Sequence, residues 1–223
     1  MKRIYVGLIV GAALVGTARA QDTATVHIES SYANFEQRHG ITLFAGYFAG
    51  NESSARVGPG GSATFGADYW MHVGGPAFVS GQLMYAPSQR LVWDPIPATY
   101  TGPVSSPLYM LDVGLHIAVT GEKTWHGLLP LVGIGMGVAY DPEKPDVGGY
   151  AFGTKFFLSA GAGFAARITG RWVLRFDAQT YLWQLHYPTS YFGSGALFPS
   201  TEPDKVWYGN GIFTLGLTYR ISH

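Results

Sequence analysis

Eight charged or titratable residues occupy matching alternate positions in otherwise apolar and small-residue segments: Asp68, His72, Asp112, His116, Arg167, Arg175, Asp177 and Arg220. Carboxylates, imidazoles and guanidinium groups in such surroundings can form buried ion pairs, carry protons or hold a metal. The spacing narrows the choice. Asp112 and His116 are four residues apart, about 13 Å in an extended strand, so they cannot grip one ion without Asp68 or His72 from another segment. Zinc–thiolate and thiol redox chemistry are excluded, because the chain has no cysteine. His186 and Ser190 in "HYPTS" are the nearest pair able to act as base and nucleophile, and Pro188 interrupts the strand between them. "GIGMG" and "GAGFAA" are glycine-rich, but no helix pattern follows either, so neither reads as a phosphate-binding loop. No catalytic residue, metal or cofactor is expected. The eight residues read as a network of paired charges.

Such a network needs a scaffold with two distinct faces. "SAGAGFAARITGRWVLRFDAQTYL", Ser159 to Leu182, alternates with a period of two, and Thr169-Gly170 leaves room only for a tight hairpin. Eight strand-like segments follow the same rule, at about 41–50, 62–73, 77–86, 108–120, 129–140, 154–168, 171–187 and 207–220. Connections alternate long and short. Those around 51–61, 87–107, 141–153 and 188–206 are long; Gly74-Gly75-Pro76, "GEKTWHG" at 121–127 and Thr169-Gly170 are shorter. In an up-and-down meander this puts every long loop at one end and both termini at the other.

The N-terminus reads as an export signal. Lys2 and Arg3 precede an apolar run from Ile4 to Val15, and Ala18-Arg19-Ala20 offers a small-x-small cleavage site. Residues 1–20 are therefore expected to be a signal peptide, residues 21–40 a polar periplasmic leader with a short alternation at "TVHIES", and residues 41–223 a single domain. Of the 14 basic and 14 acidic residues, Lys2, Arg3 and Arg19 fall in the signal, so the exported chain is mildly acidic. That argues against nucleic acid as a partner. Charged residues make up 13% of the chain, about half the share of a soluble domain.

The decisive question is which face meets the surroundings. One phase carries Phe65, Tyr69 and Met71, then Leu111, Val113, Leu115, Val132, Ile134, Met136, Leu215 and Leu217. The opposite phase carries glycine, alanine, serine and threonine with the charges listed above. A solvated sheet would show more lysine and glutamate and fewer glycines. The small, polar phase therefore reads as an interior, and the apolar phase as a lipid-facing exterior. Tyr69, Tyr85, Tyr109, Tyr140, Trp172, Trp207 and Tyr219 fall near strand ends, where amphipathic rings suit lipid–water boundaries. A lipocalin-like soluble barrel would reverse this orientation.

In this pattern the chain resembles small eight-stranded outer-membrane proteins of the OmpA, OmpX and OmpW type, including the opacity-like barrels. The final strand "TLGLTYRI" adds a local match: Thr214, Gly216, Tyr219 and Ile221 resemble the signal read by barrel-assembly machinery, with Ile221 where the family commonly has Phe. The resemblance implies an all-β, eight-stranded antiparallel up-and-down transmembrane β-barrel in the bacterial outer membrane, with both termini periplasmic. It implies outer-membrane lipid, lipopolysaccharide and the assembly machinery as partners, and a monomer. A structural or surface-interaction role carried by long extracellular loops is expected; the alternatives are a narrow passive channel or lateral transporter for small or apolar solutes, and a lipid A-modifying enzyme. The compact His-x-Ser-Asn pattern of the lipid A deacylases is missing.

Overall fold

The computed structural model describes residues 32–35, 38–193 and 196–221; the expected signal peptide and the "TVHIES" alternation lie outside them. The strands in chain order are β1 (Tyr32–Asn34), β2 (His39–Ala49), β3 (Ser62–Gly74), β4 (Ala77–Ala86), β5 (Gln89–Asp94), β6 (Thr99–Ser105), β7 (Leu108–Ala118), β8 (Lys123–Trp125), β9 (Leu128–Tyr140), β10 (Thr154–Thr169), β11 (Trp172–His186) and β12 (Lys205–Ile221). Eight of them pair antiparallel in the order β2-β3-β4-β7-β9-β10-β11-β12, and β12 returns to β2 from Gly211↔Ala49 to Ile221↔His39. The sheet is closed. Closure pairs both edges of every barrel strand and leaves no free sheet edge.

Two of the shorter connections are set by local backbone chemistry. Gly74 and Gly75 both take left-handed φ angles, +150° and +53°, in the turn between β3 and β4. Between β10 and β11, Thr169 pairs with Trp172 across a two-residue turn that opens on Gly170 at φ +48°. L-side chains rarely adopt these angles, so glycine marks the turns. The long connections all emerge at the opposite end, as the alternation of lengths requires.

The apolar phase is on the outside. Leu43, Ile134 and Leu83 are each more than 60% exposed, and Leu111, Leu115, Val132 and Leu217 also face outward. They do not meet in a central core, so a water-soluble barrel is not the architecture. Aromatic rings border this belt in rows fixed by register. Phe65, Tyr85, Tyr109 and Tyr140 are successive cross-strand partners near the long-loop end. Trp172, Tyr219 and Tyr69 do the same near the turn end, with the aliphatic Ile41 between the two tyrosines. On β12, Trp207 and Tyr219 mark the two borders. Twelve strand residues span about 40 Å along the strand, or about 30 Å across the belt at a tilt near 40°. That height matches the hydrocarbon thickness of a bilayer.

The interior departs from the expected lining of small and polar residues. That lining holds at mid-height, but aromatic and aliphatic side chains fill both ends. Towards the long loops, Phe48, Phe157, Tyr181, Trp183, Leu185 and Ile212 pack together. Towards the turns, Trp70, Phe78, Leu129, Leu131 and Val173 form a second plug. Glycines on the wall make room for the rings: a Cβ at Gly137 would lie 2.5 Å from Phe157 Cζ and 2.0 Å from the Leu111 carbonyl oxygen.

Two elements were not visible as periods. The long 87–107 connection folds into its own hairpin, β5 on β6. The end of the polar leader forms β1, which pairs with β8 inside the 121–127 connection (Tyr32↔Trp125, Asn34↔Lys123). Phe35 follows β1, donates its N–H to the Glu122 carbonyl at 2.8 Å, and inserts into the turn-end plug with 6% of its surface exposed. Replacing Phe35 by alanine is expected to remove about 3–5 kcal/mol, the usual cost of truncating a buried phenylalanine. Urea unfolding in detergent or lipid is the check, and an unchanged midpoint would mean that Phe35 does not seal the lower end.

Candidate functional site

Between the two plugs the inward phase of β3, β4, β7, β10 and β11 forms a polar belt. The register sets Asp68, Gln82 and Asp112 side by side on adjacent strands. Arg175, on the far wall, reaches across the lumen. Its Nη1 donates to Asp68 Oδ2 at 2.8 Å and its Nη2 to Asp177 Oδ2 at 2.7 Å. The guanidinium carbon lies 3.6 Å from the centre of the Trp70 ring, and Trp70 Nε1 donates to the same Asp68 oxygen. A planar guanidinium suits this arrangement, since its fork serves two carboxylates while its face stacks on indole.

The rest of the belt is hydrogen-bonded around this clamp. His116 Nε2 and Ser80 Oγ are 2.9 Å apart, and the His116 ring is 4.3 Å from Trp70. Tyr181 donates to Gln82 Oε1 at 3.3 Å. Thr42 and Thr218 bond across the β2–β12 seam at 2.7 Å.

Of the eight residues singled out in the sequence, Asp68, Arg175 and Asp177 form one ion-paired cluster. Asp112 and His116 line the same belt, and Asp112 has no cationic partner within salt-bridge distance among the described residues. The other three lie at the turn end. His72 Nε2 is 2.7 Å from the Gly75 carbonyl and 3.9 Å from Glu122 Oε1. Arg220 donates from Nη2 to the Gly170 carbonyl at 3.1 Å, and Arg167 is exposed near the end of β10. Sequence reasoning missed Trp70, Ser80, Gln82 and Tyr181 as members of the network, although their inward phase was the available signal. Among the described residues no three histidine, aspartate or glutamate side chains converge as a metal centre. His186 and Ser190 have separate partners: His186 Nε2 is 3.3 Å from Gln184 Oε1, while Ser190 donates to the Gly148 carbonyl at 2.5 Å.

Above the upper plug the long loops build a lid. Trp93, Tyr150, Tyr187 and Tyr191 pack with Ala55 and Val57, drawing on all four long connections. At its centre Arg90 Nη1 is 2.6 Å from Asp146 Oδ2, with both side chains over 90% buried. Asp146 Oδ1 also accepts the backbone N–H groups of Gly148 and Tyr150, each at 3.0 Å. Burial pushes the Tyr150 and Tyr191 hydroxyls well above the ordinary tyrosine range and that of Tyr187 up to about 12. The lid's neutral phenols therefore contribute fully below the ordinary tyrosine pKa near 10. That contribution is lost only as pH rises through the raised values.

No family model matches the chain, and no curated protein matches it. Among solved structures it is similar to the outer membrane protein OprG of Pseudomonas aeruginosa, at 8% identity and a TM-score of 0.49, covering 85% of this chain and 99% of that one. The N-terminal β-barrel domain of Pseudomonas aeruginosa OprF is similar at 12% identity and a TM-score of 0.42, covering 83% and 100%. The Yersinia pestis outer membrane protein Ail, solved in a phospholipid bilayer nanodisc, is similar at 16% identity and a TM-score of 0.40, again covering 83% and 100%.

Proposed function

We propose that this chain is a bacterial outer-membrane β-barrel with a structural and surface-interaction role, its closed lumen holding the cylinder rigid while the long loops face outward. The observation that carries the reading is the combination of a lipid-suited exterior with an interior filled at both ends. A belt of leucine, valine and isoleucine bordered by aromatic rows is stable in hydrocarbon and costly in water. Closure satisfies the strand backbone within the bilayer. The turn end then faces the periplasm together with both termini, and the lid faces the exterior beside lipopolysaccharide. Thr214 and Gly216 face inward and Tyr219 outward on β12, the strand that completes the barrel and carries the assembly signal. At the loop ends Ile96 and Val147 are 93% and 73% exposed, apolar contact points outside the belt.

The test is planar-bilayer recording of the purified, folded protein. The expected result is no reproducible stepwise conductance, because Trp183, Phe157 and Tyr181 occupy the upper lumen and Trp70, Phe78 and Phe35 the lower. Regular current steps that disappear on heat unfolding would favour the narrow-channel reading.

A further inference from the structure

The belt between the plugs encloses a small cavity of about 20 Å³, lined by Asp68, Ser80, Asp112, His116, Ser159 and Gln179 among others. About 10–15 Å³ on this measure accommodates one water-sized particle, so the space holds one small guest or two. Its wall is unbalanced in two ways. Three carboxylates, Asp68, Asp112 and Asp177, face a single guanidinium, Arg175, which is spent on two of them. Three buried oxygens, Asp68 Oδ1, Asp112 Oδ1 and Gln179 Oε1, have no hydrogen-bond partner among the described residues, and all three are acceptors. Asp112 is the residue to explain: it is 95% buried, has no ion pair among the described residues, and receives only the neutral hydroxyls of Ser159 and Tyr181, with Oδ1 left open. Two hydroxyls leave the charge of an ionised carboxylate uncompensated, and a buried charge calls for a counter-ion.

Glycine leaves room beside the Asp112 and Asp177 carboxylates. A Cβ at Gly135 would stand 2.7 Å from Asp112 Oδ1 and 2.6 Å from Ser159 Oγ, and one at Gly163 would stand 2.6 Å from Asp177 Oδ1. The lining is rich in oxygen and has no sulfur, which selects hard cations. Calcium or zinc normally requires several converging carboxylates or imidazoles, and no such trio exists among the described residues. One carboxylate with neutral amide and hydroxyl oxygens suits a monovalent ion instead.

We infer that the mid-lumen cavity is a binding site for a small hard monovalent cation of sodium's class, anchored by Asp112 with Gln179 and Ser159 as neutral oxygen donors. The ion neutralises the uncompensated carboxylate and locks β7 to β10 and β11 from the inside. Its effect is on the folded barrel's stability and does not require conduction.

The experiment is unfolding of the full-length protein in nanodiscs in sodium, potassium and choline chloride at equal ionic strength. Above the dissociation constant, each tenfold rise in sodium is expected to raise the folded-to-unfolded ratio by up to about tenfold, with choline giving no such gain. Asp112→Asn and Gln179→Met each remove oxygen donors without emptying the cavity, and both are expected to abolish or strongly weaken the sodium dependence. Asp112→Asn should in addition be no less stable than the native chain in choline, since it relieves a buried charge. Equal midpoints in sodium and choline chloride overturn the proposal, as does a sodium dependence that survives unchanged in both variants.

Discussion

Arg175→Ala is expected to lose about 3–5 kcal/mol of folding stability, because it strands the Asp68 and Asp177 carboxylates in a lumen where Arg175 is their only ion-pair partner among the described residues. Coulomb attraction in the intact cluster offsets the cost of dehydrating three charges; once the guanidinium is gone, that cost stands alone. The indole of Trp70 loses its cation as well, and its face is left over a void. Arg175→Lys should recover only part of the loss. A single ammonium cannot fork to two carboxylates on different walls while lying flat on a ring. The combined variant Arg175→Met, Asp68→Asn, Asp177→Asn removes all three charges and should recover most of the stability, since neutral replacements of buried ion clusters are often tolerated. Urea midpoints of the four proteins in one lipid system make the comparison. A loss below about 1 kcal/mol in Arg175→Ala would place the cluster in a solvent-like environment and refute a sealed belt.

Arg90→Ala should act on the lid and leave the barrel in place. Asp146 then stays more than nine-tenths buried with backbone donors but no cation, again a penalty of about 3–5 kcal/mol when one partner of a buried pair is removed. Here the penalty has a cheap escape, because the lid can lift from the barrel without unfolding it. Local opening of this kind exposes backbone to protease while core strands stay protected. Chymotrypsin is expected to cut the variant at Tyr150, Phe152, Tyr191 and Phe192 at rates at least tenfold above those of the native chain, with fragments read by mass spectrometry. The global urea midpoint should move little. Unchanged cleavage at those sites would mean that the aromatic packing holds the lid without the ion pair.

Much of this architecture was legible because a strand has only two faces. Once one face is apolar over eight segments, each residue's side follows from its parity, and β4 was located to the residue. Parity says nothing about depth along the axis. Arg167 and Arg220 share the inward phase with Arg175, yet they lie beyond the lower plug near the turn end, while Arg175 sits at mid-height. Nor does parity give the stagger between distant strands, which brings Arg175 to Asp68 across 107 residues of sequence. Short elements carry too few residues to show a period. Three-residue β1 and β8 were therefore invisible, and the prolines of the 87–107 connection hid the β5–β6 hairpin. The aromatic plugs follow from size and not from parity: Phe157, Tyr181 and Trp183 share the inward phase with glycine and serine, and their bulk alone decides whether the cylinder is open.

The seam between β2 and β12 has a consequence for manufacture. The first wall of the cylinder finds its second neighbour only in the final seventeen-residue strand. Until that strand arrives, the growing sheet carries an unprotected margin able to stitch onto any other copy nearby. A chain cut short before β12 therefore has no smaller cylinder to fall back on, and its fate is clumping rather than partial assembly. Quality control is in effect written into the strand that closes the ring.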